Sequence, residues 1–85
     1  MEKKARVVLY SRPGCHLCEE MKAELSKAGC GDLYSLEEIN IESDALLLER
    51  YRFEIPVLSI NGVEAFRHCL RPEEFAARVK SLADA

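Results

Sequence analysis

The chain has 85 residues, 48% of them hydrophobic and 32% charged, with a formal net charge of −3. A chain this short has room for one core, which buries about 60% or slightly more of the surface exposed in the unfolded chain, and its balanced composition excludes a disordered or low-complexity protein. Dispersed basic residues under a net negative charge exclude the electrostatic footprint of a nucleic-acid or anionic-membrane binder.

Met1 to Arg6 is weakly basic, but the apolar stretch Val7 to Tyr10 behind it is far shorter than the core of a secretory signal. No run approaches the ~18 apolar residues of a membrane span. One domain over residues 1–85, cytoplasmic and monomeric, is expected. Four cysteines in a reducing compartment read as catalytic, metal-binding or free thiols rather than as staples.

Ala5 to Ser11 is a nearly continuous apolar run holding Val7, Val8, Leu9 and Tyr10, which predicts a strand covered on both faces. Arg12-Pro13-Gly14 breaks it. From Cys15 onward, Leu17, Met21, Leu25 and Ala28 recur at helical spacing, with Glu19, Glu20, Lys22, Glu24 and Lys27 on the polar side and a stop at Gly29. Leu36 to Glu42 places Ile39 and Ile41 on one face and acids on the other, as in a half-exposed strand beside the first one. Ser43 or Asp44 caps a short helix through Tyr51, whose Leu46-Leu47-Leu48 cluster needs cover. Val57 to Ile60, Asn61-Gly62 and Val63 to Phe66 read as a hairpin, because Asn-Gly takes the positive φ values of a tight turn. Pro72 opens a last helix with Phe75, Ala76, Val79, Leu82 and Ala83 on one stripe. The order β-α-β-α-β-β-α predicts a four-stranded mixed α/β sheet, with a parallel crossover, an antiparallel hairpin and helices on both faces.

Cys15 and Cys18 follow a buried strand through a Pro-Gly turn and open a helix. Positions i and i+3 share a helix side, so the two sulfurs come within bonding reach. Cys15 lies at the unsatisfied N–H end, where partial positive charge favours thiolate, and is the expected nucleophile. Cys18, one turn in and more buried, is the expected resolving thiol. A protonated His16 adds charge beside the thiolate; a solvated neutral His16 is the alternative. A structural metal site needs a second ligand pair, which Cys30, His68 and Cys69 do not supply at the usual spacing, so no metal is expected.

The segments Tyr10-Ser11-Arg12-Pro13-Gly14-Cys15-His16-Leu17-Cys18, Ile39-Asn40-Ile41, Arg50 to Leu58 and the Asn61-Gly62 turn together resemble the glutaredoxin branch of the thioredoxin superfamily, nearest its small bacterial glutaredoxin-like proteins. The resemblance implies a thioredoxin-like fold of glutaredoxin type. It implies that Pro56 is the family's cis-proline beside the redox pair, and that the backbone of Ile55 pairs with an extended substrate strand. Arg12 matches a basic position that helps hold glutathione or a thiolate. Where the family carries a Gly-Gly pair and an acid for the glutamyl end of glutathione, this chain has Arg67-His68-Cys69-Leu70-Arg71. Side chains there obstruct close backbone approach, although Arg67 or Arg71 still offers a guanidinium to a carboxylate. Cys69 is either a third redox thiol or a small hydrophobe, and Cys30, at the far end of the helix, is a structural thiol.

The expected function is a dithiol reductase of protein or low-molecular-weight disulfides, with no resident cofactor and with glutathione as one candidate reductant. Two other classes stay open. An iron–sulfur carrier would be coloured on aerobic purification, and a thioredoxin-fold adaptor with vestigial cysteines would show no fast alkylation at Cys15.

Overall fold

The structure is a computed structural model that describes residues 4–83. Strand β1 (Ala5–Ser11) leads to helix α1 (His16–Ala28), strand β2 (Tyr34–Asn40), helix α2 (Ala45–Tyr51), strands β3 (Val57–Ile60) and β4 (Val63–Arg67), and helix α3 (Pro72–Ala83). The sheet order is β2-β1-β3-β4. β1 pairs with β2 in parallel and with β3 antiparallel, and β3–β4 is the expected hairpin.

Alternation along the two central strands divides the core. Val7, Leu9, Leu58 and Ile60 face one side, where Met21 and Leu25 of α1 and Phe75 and Val79 of α3 cover them. Phe75 meets the Tyr34 ring edge-on at 5.1 Å between centroids, and each such fully buried large side chain contributes about 1.5–3 kcal/mol by leaving water. Tyr10 and Val57 face the other side, where Tyr51, Leu47 and Leu48 of α2 join Ile41 in a second, smaller cluster. Tyr10 and Tyr51 stack at 4.7 Å. Helices therefore cover both faces, as the element order predicts.

Local signals set the boundaries. Gly29 caps α1 at φ 68°, a left-handed conformation that costs glycine nothing. Asp44, the second of the two expected caps, closes the start of α2 by accepting from the Leu46 amide at 2.8 Å. Asn61 and Gly62 take φ values of 52° and 82°, and the turn is tied to β1 by the Asn61 side chain, whose Oδ1 accepts from the Arg6 amide at 2.8 Å.

Five expectations need correction. β2 covers Tyr34–Asn40 rather than Leu36 to Glu42, because the Asn40 side chain accepts from the Glu42 amide at 2.9 Å and turns the chain into a single 3-10 turn at Ile41–Ser43. Ile41 is fully buried, but from that turn and not from the strand face it was expected to share with Ile39. On α1 the buried stripe runs through Cys18, Met21 and Leu25, while Leu17 is 47% exposed at its margin. The hairpin's second strand also extends one residue further, to Arg67, with a register shift opposite Leu58 and Ser59. On α3, Phe75 and Val79 are buried and Leu82 is exposed; the side chain of Ala83 lies outside the described residues, as do Met1 to Lys3 of the basic start.

Candidate active site

Strand register gathers the residues singled out above at one end of the sheet. Val57 lies opposite Tyr10 on one side and Arg67 on the other. The C-terminal end of β1, the approach to β3 and the exit from β4 are therefore neighbours. From these three points extend the Arg12–Cys15 turn, the Ile55–Pro56 peptide and the Arg67–Arg71 loop.

In the first segment Gly14 takes φ 78° and the Cys15 amide donates to the Arg12 carbonyl at 3.3 Å, which aims the chain into α1. Cys15 is the N-cap of that helix, in an extended conformation, and its Sγ accepts from the Cys18 amide at 3.1 Å. A sulfur thus takes the place that a serine or aspartate oxygen fills at other helix starts. Cys15 and Cys18 are joined as a disulfide with Cα atoms 5.2 Å apart. Cys15 is half-buried, whereas Cys18 is 2% exposed. One cysteine is partly open to solvent and the other is not.

The Ile55–Pro56 peptide bond is cis and Pro56 is fully buried. The Pro56 carbonyl accepts from the His68 amide at 2.8 Å, which ties the second segment to the third. The Ile55 amide donates to the Tyr51 carbonyl at 3.1 Å, so its N–H is already taken within the chain.

The third segment holds a second unusual backbone. His68 has φ 71°, and the Cys69 amide donates across it to the Arg67 carbonyl at 2.8 Å. Glycine favours this geometry, and a histidine holds it here. Arg67 donates to both carboxylate oxygens of Glu64, at 2.9 and 2.8 Å, and to Glu54 at 2.9 Å. The Arg67 guanidinium holds the Glu64 carboxyl below its ordinary value. Cys69 is exposed and lines a hollow of about 230 Å³ with Leu17, Met21, His68 and Leu70, beside the first turns of α1. Cys30 is buried in the larger core cluster.

Arg12 donates to Glu42 from Nε at 3.2 Å and from Nη2 at 2.8 Å, so its guanidinium already holds a carboxylate. His16 and Arg71 are exposed and form no ion pair among the described residues.

Sequence reasoning passed over one polar chain. Ser11, the last inward-facing residue of β1, is buried and donates to Glu38 at 2.7 Å. Glu38 in turn meets Lys22 of α1 at 3.2 Å, and Lys22 also meets Glu19 at 3.1 Å. Ser11 holds the Glu38 carboxyl below its ordinary value, helped by Lys22, while Glu19 and then Glu38 raise the Lys22 ammonium. The available signal was the alternation of Ala5, Val7, Leu9 and Ser11, which turns a hydroxyl inward where only a polar partner satisfies it.

The family model of the glutaredoxin-like domain (DUF836) matches residues 6–81. The chain belongs to this family. This glutaredoxin-like domain is similar to the solved structure of protein Ne2328 from Nitrosomonas europaea, at 32% identity over 92% of this chain and 94% of that one, with a TM-score of 0.75. It is also similar to the structural-genomics target XcR50 from X. campestris, at 25% identity over 88% and 96% of the two chains, with a TM-score of 0.73. A malarial protein shares the fold at 16% identity and a TM-score of 0.67, over 93% of this chain and 97% of that one. The fold is thioredoxin-like, and the family together with the joined cysteines supports a thiol redox role.

Proposed function

We propose that this glutaredoxin-like domain is a thiol–disulfide oxidoreductase that uses Cys15 as nucleophile and Cys18 as resolving thiol. The observation that carries the reading is the unequal exposure of two bonded sulfurs at the start of α1. In the reduced protein the Cys15 thiolate accepts the Cys18 amide and sits at the positive end of a 13-residue helix, both of which favour the charged form. It attacks one sulfur of a substrate disulfide. The substrate S–S bond breaks, the departing thiolate takes a proton from solvent, and a mixed disulfide on Cys15 remains. Cys18 then loses its proton and attacks the Cys15 sulfur, releasing the second substrate thiol and closing the Cys15–Cys18 bond. Two electrons pass from the protein to the substrate, and an external dithiol, or two monothiols of the glutathione class, restores them.

The substrates are protein or low-molecular-weight disulfides, and the site of action is a reducing compartment such as the cytosol, where the dithiol form is maintained. Among the described residues no helix is long and apolar enough to cross a membrane.

The test is turnover of an uncharged small disulfide by the parent, Cys15→Ser and Cys18→Ser proteins. Cys15→Ser is expected to lose activity by several orders of magnitude, as removal of a nucleophile does. Cys18→Ser is expected to accumulate the mixed disulfide, visible as a mass increase that a reductant reverses. Retained turnover in Cys15→Ser would overturn the assignment.

A further inference from the structure

The arginines at the active-site end of the sheet differ in their partners, and Arg71 is exposed with no ion pair among the described residues. Arg12 and Arg67 are held by carboxylates. Arg50 and Arg52, at the end of α2, form no ion pair among the described residues and instead lie over aromatic rings, Arg50 at 5.3 Å from the Tyr51 centroid and Arg52 at 4.9 Å from that of Phe53. Arg50 also lends part of its field to Glu64. Phe53 is 79% exposed, the most exposed large apolar side chain among the described residues. It stands three positions before Pro56, a reach of at most about 10 Å along the chain. Leu17, half exposed between the two cysteines, is a separate apolar side chain on α1, beside His68 and Cys69.

An exposed phenyl ring under an unpartnered guanidinium is an amphipathic platform. Its ring binds an apolar side chain and its cation binds a carboxylate; the exposed ring is disfavoured in water, while the hydrated guanidinium adds charge selectivity. The charge is distinctive because the molecule as a whole is net negative.

We infer that Arg52 and Phe53, with Arg50 behind them, form a docking surface for an extended protein segment that carries an apolar side chain and one or more carboxylates within a few residues of the disulfide to be reduced. This rests on the oxidoreductase reading and names its substrate class. A segment of about six residues spans roughly 20 Å, about twice the most that separates Phe53 from Pro56 along the chain. Glutathione brings carboxylates but no apolar side chain, so it fills half of the surface.

The probes are synthetic peptide disulfides identical except for their flanks, which carry glutamate and leucine, lysine and leucine, or glutamate and serine. The parent is expected to reduce the first about tenfold faster in kcat/KM than the second at low salt, with the margin shrinking as salt rises, because rim charges act on encounter and are screened. Arg52→Glu is expected to invert that order, and an inversion cannot come from misfolding. Phe53→Ser is expected to erase the advantage of the leucine flank over the serine flank. Equal parent rates across the panel, or a charge order unchanged in Arg52→Glu, would overturn the inference while leaving the redox reading intact. The same peptides with serine for cysteine are measured by binding alone: charge-selective binding without turnover would uphold the surface and overturn the redox reading.

Discussion

Cys15 and Cys69 offer a comparison inside one molecule. Both thiols are reachable in the reduced protein, but only Cys15 sits at a helix start with an amide aimed at its sulfur. After reduction, Cys15 is expected to alkylate faster than Cys69 and far faster than buried Cys30 at neutral pH, with a midpoint below the ~8.5 of an ordinary cysteine. Rates followed across pH by mass spectrometry check this, and a Cys15 rate no greater than that of Cys30 would contradict it. His68 gives a second test at the same scale. Its left-handed φ of 71° costs a side-chain-bearing residue about 1–2 kcal/mol, against roughly 0.5–1 kcal/mol of added chain entropy for glycine. His68→Gly is therefore expected to leave stability unchanged or raise it by up to about 1 kcal/mol, and to speed turnover of a glutathionylated peptide by clearing the backbone approach. Denaturant midpoints and peptide kinetics read the two effects separately. The cysteine pair was legible in the sequence because i and i+3 spacing needs only local geometry. His68 was legible only as a substitution in a family position, since nothing in a histidine announces positive φ. The Arg67 carboxylate partners were not legible, because Glu54 reaches it from the segment before β3 and a strand pattern alone does not bring Glu64, three residues back, against it.

Elements with local signatures were read closely and those defined by tertiary contact were not. The Asn-Gly turn and the Gly29 stop encode their own backbone conformations. β2 does not, because it lies at the sheet edge with most of its residues exposed, so its apolar pattern is sparse and its end is set by a side-chain turn at Asn40. Two substitutions test the local devices. α2 has only seven residues, too few for a helix to persist on propensity alone, so Asp44→Ala is expected to cost about 1 kcal/mol through its lost cap. Asn61→Ala removes both a residue tolerant of positive φ and the acceptor for the Arg6 amide, and is expected to cost about 1–2 kcal/mol. Asn61→Gly keeps the turn and loses only the acceptor, so its cost in a urea titration is expected to be smaller. Equal losses would mean that the turn conformation contributes nothing.

For the molecule as a whole, the margin is narrow. A chain of 85 residues has about 4–13 kcal/mol of stability at 0.05–0.15 kcal/mol per residue. Phe75→Ala, at the centre of the larger cluster, is expected to remove about 3–5 kcal/mol of it, which at the low end of that range leaves the protein close to unfolding. Ionic ties act on top of this core and make it sensitive to acid. Glu38 joins β2 to β1 through Ser11 and to α1 through Lys22, and Glu64 is held by Arg67. Both carboxyls lie below their ordinary value of 4.5 when folded. A depressed carboxyl stabilises the fold fully above its unfolded value, and that contribution is lost as pH falls through the folded value. Because Glu38 is substantially exposed, its share is expected to be no more than about 1 kcal/mol. Glu38→Gln should therefore be less stable than the parent at neutral pH, and the two denaturant midpoints should converge as pH falls below about 4. Midpoints that stay parallel across that range would show that the Ser11–Glu38–Lys22 chain is tied by shape and not by charge.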